Sequence, residues 1–228
     1  MFPDFPVIVV IPGYNEAETI AGVVRGVLPY ATPLVVDDGS SDGTAAEAEK
    51  AGAHVLRLSP NRGYEGALDA GVAEAERLGA AAVVTFDADG QFDPKDLENV
   101  IRPLAEGEAD LVLGQRPGAA RLGEALFNIY ARLRFGIRDI VCGLKGYRMD
   151  LYRRHGRFDG GSSINTELAL HSILRGARVK TVPVTIRARE TGAPRFGTGF
   201  RANKRILKAL RQAICADVKT SFGAGART

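Results

Sequence analysis

Apolar residues along this chain fall in short runs, separated by longer stretches whose apolar positions recur every three or four residues. The first pattern predicts buried strands and the second predicts helices packed by one face. Residues 6–11 read as a strand, and residues 16–28 as a helix with Ile20, Val23, Val24 and Val27 on one side. A strand over 34–36 ends in acids, and a helix over 42–51 has Asp42 placed to cap it and Gly52 to stop it. Strands over 54–58, 81–86 and 109–114 alternate with helices over 63–78 and 94–105, the second starting on Pro94. This alternation predicts an α/β fold with a mostly parallel sheet and helices on both faces. Ligands of such sheets bind beyond the carboxyl ends of the strands, where Asp37, Asp38, Asp87 and Asp89 fall.

After residue 116 the pattern loosens. A helix is expected over 124–135, a short mixed segment over 140–149 and a helix over 163–175 stopped by Gly176. Residues 179–186 read as a strand that Pro183 confines to a sheet edge. Residues 200–216 form a basic helix on which Ile206, Leu207, Leu210 and Ile214 can share a face, and residues 221–228 read as a frayed end. That helix has two readings: it lies on an anionic membrane surface as a peripheral contact, or it packs its apolar stripe on the core. No repeat or linker divides the chain, so residues 1–228 are expected to form one domain.

Composition adds exclusions. No apolar run reaches the 18 residues of a membrane span, and residues 7–11 are too short for a signal-peptide core, so a cytoplasmic location is expected. Cys142 and Cys215 make neither a disulfide framework nor a metal-type spacing. The net charge of +3 hides a division: residues 1–116 hold 8 Lys/Arg against 20 Asp/Glu, and residues 117–228 hold 22 against 7. An acidic half suits a cation, and a basic half suits phosphates or an anionic membrane; separate solvated faces would give the same counts.

Three segments carry chemistry. Asp87-Ala88-Asp89-Gly90-Gln91 follows an apolar strand, and alternate residues of an extended segment project to one side, so Asp87, Asp89 and Gln91 can converge. Two carboxylates and an amide oxygen are hard ligands suited to Mg²⁺ or Mn²⁺, with water and phosphate oxygens completing the shell. The same residues also suit an Asp- and Gly-rich turn before a helix. Asp37 and Asp38 open a second segment, Asp37-Asp38-Gly39-Ser40-Ser41-Asp42-Gly43-Thr44, where acids at a strand end can accept hydrogen bonds from a base or ribose. In the third, Pro12-Gly13-Tyr14-Asn15-Glu16, Tyr14 offers a stacking face and Glu16 a carboxylate at a helix start.

In this order and spacing the three segments resemble the family-two glycosyltransferases, whose shared pattern is Pro-x-Tyr-Asn-Glu, Val-Asp-Asp-Gly-Ser-x-Asp-Gly-Thr and Asp-Ala-Asp-x-Gln. The resemblance covers roughly residues 6–190 and implies the Rossmann-like GT-A fold, with residues 1–116 as the nucleotide-sugar and metal-binding half and 117–228 as the acceptor half. It implies a nucleoside pocket at Pro12, Tyr14, Glu16, Asp37 and Asp38, and a cation held on the donor diphosphate by Asp87, Asp89 and Gln91. Within the family the likeness is to polyprenyl-phosphate sugar synthases, the dolichyl-phosphate mannose and glucose synthases. It rests on Gly114-Gln115-Arg116, on Asp139-Ile140-Val141-Cys142-Gly143-Leu144-Lys145, on Glu167 and Gly176, and on Arg189-Glu190-Thr191-Gly192. The chain departs from that pattern at Pro194, where a Ser is usual, in the short segment between Gly114 and Asp139, and in lacking C-terminal hairpins or spans. These departures bear on the acceptor more than on the donor.

The implied reaction is inverting transfer of a hexose from GDP-mannose or UDP-glucose to a polyprenyl phosphate. Arg116, Lys145, Arg189 and Arg195 are candidates to stabilise the leaving diphosphate. Asp139 and Glu167 are candidate bases for an alcohol acceptor, each also readable as a salt-bridge partner; a phosphate acceptor needs no strong base, and Arg116 and Arg121 could dock it. The competing expectations are a soluble sugar or small-molecule acceptor, and a nucleotide-sugar or RNA-binding protein without catalysis. With aromatic residues at 7% and no stacking motif, no nucleic-acid partner is expected. A nucleotidyltransferase would carry a Gly-rich basic loop after its first strand, which residues 12–16 are not.

Overall fold

In the computed structural model, which describes residues 4–118, 122–160, 163–187 and 200–224, side chains of the first strand alternate between two apolar layers. Val7, Val9 and Ile11 enter one layer, and Ile8 and Val10 the other. Helices therefore cover both faces of the sheet, as a two-sided apolar pattern requires.

The elements run β1 (Val7–Gly13), α1 (Ile20–Val27), β2 (Thr32–Asp37), α2 (Thr44–Lys50), β3 (His54–Arg57), α3 (Gly63–Arg77), β4 (Ala82–Thr85), α4 (Asp96–Ala105) and β5 (Leu111–Gln115). There follow α5 (Leu122–Phe135), β6 (Lys145–Arg148), α6 (Met149–His155), α7 (Glu167–Leu174), β7 (Val179–Pro183) and α8 (Phe200–Ala224). The sheet order is β3-β2-β1-β4-β6-β5-β7. Every pairing is parallel except those of β6, which runs antiparallel to both β4 and β5. β7 is the edge strand that Pro183 foretells.

Several boundaries move for local reasons. The first helix begins at Ile20 rather than at 16, because the Glu16 amide donates to Thr44 Oγ1 (2.8 Å) and the Ala17 amide to Asp42 Oδ2 (3.2 Å), holding both residues in a loop. Asp42 does cap, but from one residue outside: its Oδ1 accepts from the Thr44 amide at 3.1 Å while Gly43 takes φ 88°. The helix expected from 163 starts at Glu167, because Ile164 and Asn165 sit at φ 50° and 61°, outside helical space.

The mixed segment over 140–149 supplies β6, an interior strand with a Lys, a Gly, a Tyr and an Arg. Gly146 explains its place. A Cβ there would lie 2.6 Å from Val100 Cγ1 and 2.8 Å from Leu104 Cδ1, so α4 packs directly on the β6 backbone. On the other face, a Cβ at Gly71 of α3 would meet Val10 Cγ1 at 2.4 Å and Val36 Cγ2 at 2.7 Å. Helix α8 departs from its expected apolar face. Ala202, Ile206, Ala209 and Ala213 are buried, whereas Leu207 and Ile214 are exposed.

Candidate active site

β1 and β2 end side by side, Gly13 opposite Asp37, and β4 ends on the other flank of β1. The order of strands reverses at β1, with β2 on one side and β4 on the other, and the loops after β1 and β4 flank a crevice beyond the carboxyl ends of these parallel strands. A cleft of ≈ 980 Å³ opens there.

One wall is the loop after β1, zipped to the loop after β2. The Asn15 amide donates to Ser40 Oγ (2.8 Å), and the Ser41 amide to Asn15 Oδ1 (2.8 Å). This holds Asn15 at φ 52° and stands Tyr14, 45% exposed, in the cleft beside Pro12 and Glu16. Asp38 lines the same wall. It is 4% exposed, and its Oδ1 accepts from the Arg62 amide at 2.7 Å. Burial raises its pKa above the usual carboxylate value, against those backbone donors. Asp37 does not line the cleft; it turns back to accept from the Ser40 amide at 3.1 Å, so it shapes the turn.

The opposite wall carries Asp87, Asp89 and Gln91 together. Asp89 Oδ1 accepts from the Gln91 amide at 3.0 Å, and Gln91 O accepts from the Arg187 amide at 2.7 Å, which ties this loop to the chain beyond β7. Tyr64 of α3 donates its hydroxyl to Asp87 Oδ1 at 3.0 Å. The Asp87 pKa is pushed up to about 6, first by desolvation and then by the Asp89 charge, with the Tyr64 bond opposing. A buried carboxylate whose ionisation is opposed by a neighbouring acid marks a place where a cation is stabilised. Among the described residues no three His, Cys, Asp or Glu gather as a metal cage. Two acids with an amide oxygen match instead a hard divalent ion that shares its shell with phosphate oxygens. Gly143 makes room for this wall, since a Cβ there would lie 2.7 Å from Asp87 Oδ2.

Arg116 lines the cleft from the end of β5 and is held in place by acids. Its Nε donates to Asp139 Oδ2 at 2.7 Å and its Nη2 to Asp139 Oδ1 and Glu124 Oε2, each at 3.1 Å. Asp139 is 4% exposed and does not line the cleft, so the geometry takes its salt-bridge reading rather than the one as a base. Glu167 is likewise off the cleft, accepting from the Gly160 amide (2.8 Å), Arg157 and His155. Burial raises its pKa, but these donors outweigh it and leave the carboxylate below its ordinary value, a poor proton acceptor. Lys145 is also displaced from its expected place at the diphosphate. As part of interior β6 it is fully buried, and its Nζ donates to the Asn165 carbonyl. Burial lowers its pKa to about 8, and its charge acts on Asp87 through space. Arg189, Arg195 and Arg121 lie outside the described residues.

The sequence reading did not name Tyr64 or Asn165 and gave Gly143 only as a position of the motif over 139–145, with no role; all three line the cleft. For Tyr64 the available signal was an aromatic residue following Asn61-x-Gly63, the pair whose Asn61 Nδ2 donates to the Asp38 carbonyl at 2.7 Å.

Comparison with known proteins bears on the family and the fold. The family model described as Glycosyl transferase family 2 matches residues 8–165. The chain is 33% identical over 200 residues to glycosyltransferase AglJ of Haloferax volcanii, covering 82% of this chain and 65% of that protein. It is 31% identical over 231 residues to the polyprenol monophosphomannose synthase of Mycolicibacterium smegmatis, covering 91% of this chain and 86% of that one. Among solved structures, glucosyl-3-phosphoglycerate synthase from Mycobacterium tuberculosis with phosphoglyceric acid superposes with TM-score 0.74 at 21% identity, over 92% of this chain and 80% of that one. Its complex with Mn²⁺, UDP and glucosyl-3-phosphoglycerate gives TM-score 0.71 at 20% identity, over 96% and 80%. At such identities the likeness establishes the fold, the GT-A type with its mostly parallel sheet.

Proposed function

The chain belongs to glycosyl transferase family 2, and from that premise we propose that it transfers a hexose, with inversion, from a UDP- or GDP-linked donor to a polyprenyl-type phosphate. The observation that carries the proposal is the two-walled cleft. Tyr14, Glu16 and Asp38 on one side suit a nucleoside, and Asp87, Asp89 and Gln91 on the other suit a divalent cation on its diphosphate. Mg²⁺ or Mn²⁺ bound there supplies positive charge to the departing diphosphate. Tyr14 presents its ring to the base, and Asp38 accepts from the nucleoside. Tyr64 and Gly143 hold Asp87 in place. Arg116, fixed by Asp139 and Glu124, keeps its guanidinium at the cleft with no reorientation needed during reaction.

The acceptor reading rests on what the cleft lacks as well as on what it has. Neither expected base, Asp139 nor Glu167, lines it, and a phosphate acceptor, already anionic at neutral pH, needs neither. The relative named as a polyprenol monophosphomannose synthase supports a lipid-linked phosphate. A second reading, a small phosphate-bearing acceptor, is favoured by the fold shared with glucosyl-3-phosphoglycerate synthase. The test is a transfer assay with UDP-glucose and GDP-mannose against a short polyprenyl phosphate and 3-phosphoglycerate, with Mg²⁺ or Mn²⁺. Glycolipid formed with one donor is expected; product on 3-phosphoglycerate alone would replace the lipid reading with the second.

A further inference from the structure

Helix α5 turns four large apolar residues outward: Leu122, Leu126, Ile129 and Leu133, with Leu122 and Leu133 71% and 84% exposed. Their spacing of four, seven and eleven residues puts them in one line along the helix, opposite the Phe127 and Ala131 that face the core. A soluble helix normally places such a line inward.

The line continues onto α8. The two helices lie side by side in the same direction, tied at one end by the Gly123 amide to Asn203 Oδ1 (2.9 Å) and at the other by Arg134 Nε to Asp217 Oδ2 (2.7 Å). Leu207, Ile214 and Val218, all exposed, follow Asn203 at four, eleven and fifteen residues, so they occupy the shoulder of α8 next to α5. Further round α8 come exposed Lys204, Lys208 and Arg211, and on α5 exposed Arg132. The only acids in the two helices are Glu124 and Asp217, both buried and paired with arginines.

We propose that this α5–α8 face docks on an anionic phospholipid bilayer. An apolar strip edged by cations, with every acid turned inward, complements a surface that is greasy beneath and negatively charged on top. A second copy of the chain would meet the same cationic edges, so the charge pattern selects against self-association. No helix among the described residues is long and apolar enough to span a membrane, so contact is in the interfacial plane. Glu124 of α5 and Arg205 and Ile206 of α8 also line the cleft, which sets its mouth beside the docking face. The surface stands on its own geometry; joined to the proposed function, it brings a lipid phosphate to the cleft without leaving the bilayer.

The test is vesicle co-sedimentation with phosphatidylcholine alone and with phosphatidylglycerol added, on the wild type, Leu126→Glu/Leu133→Glu and Lys204→Glu/Lys208→Glu. Binding to the anionic vesicles is expected to fall at least about tenfold in each double variant, and to weaken with salt in the wild type. Circular dichroism and transfer to a water-soluble short-chain phosphate should be unchanged in the leucine variant, since both side chains are exposed. Wild type left in the supernatant with anionic vesicles, binding that survives the leucine changes, or a dimer in light scattering abolished by them would each overturn the proposal. Absence of transfer to the short-chain phosphate in the wild type would strike the proposed acceptor while leaving the vesicle result to stand or fall alone.

Discussion

Asp87 is held from three directions: Tyr64 donates to one oxygen, Asp89 repels it, and Gly143 lets the other oxygen approach the chain after Asp139. Gly143→Ala would push a methyl to 2.7 Å from that oxygen. Because the contact is with a side-chain tip, the fold should yield locally and the carboxylate should turn. Transfer activity is expected to drop at least about tenfold, the scale on which small misplacements act, with little change in melting temperature. Unchanged turnover would mean that the position of Asp87 is immaterial. The acids at strand ends were legible in the sequence because they follow apolar runs. Tyr64 and Asn165 were not, and Gly143 was only as a motif position without a role, because each matters through a partner more than twenty residues away in the chain: Asp87 for Tyr64 and Gly143, Gly143 for Asn165.

At the scale of elements, the strands with continuous apolar runs were readable, and β6 was not. Lys145, Tyr147 and Arg148 do not advertise an interior strand; β4 and β5 pair with it on both sides and Gly146 admits α4. Gly146→Ala is therefore expected to destabilise the fold by about 1–3 kcal/mol through overpacking against Val100 and Leu104, read from the urea midpoint. A midpoint equal to wild type would show that α4 has room to shift. The short helix α6 escaped for a similar reason: its pattern is dominated by a basic run from Arg153 to His155. There His155 stacks on His171 of α7, with ring centroids 3.8 Å apart. Burial, then the neighbouring His155 and Arg175, lower the His171 pKa to about 4, with Glu167 opposing. An unfolded His binds its proton near pH 6.5, so between about 6.5 and 4 the unfolded chain holds more protons and falling pH favours unfolding. Melting temperature should fall through that window in the wild type and fall less in His171→Gln; parallel curves would remove His171 as a contributor.

Across the whole molecule the charge division of the sequence becomes spatial. The acids of residues 1–116 that line the cleft follow β1 or sit at the ends of β2 and β4, while α8 brings Arg205 to its far side and α5 and α8 carry exposed cations on the outer face. That division was visible in the counts, but its geometry was not. Expected face residues of α8 proved to be split between core and solvent, since its packing on α5 and α7 selects small residues such as Ala202, Ala209 and Ala213. The central claim is that Asp87, Asp89 and Gln91 grip a divalent ion against a nucleotide diphosphate. Anomalous diffraction from a crystal grown with Mn²⁺ and UDP or GDP tests it most directly. The account predicts a manganese peak within coordinating distance of those three side chains and of the diphosphate oxygens; a peak elsewhere, or a diphosphate bound away from them, would contradict it.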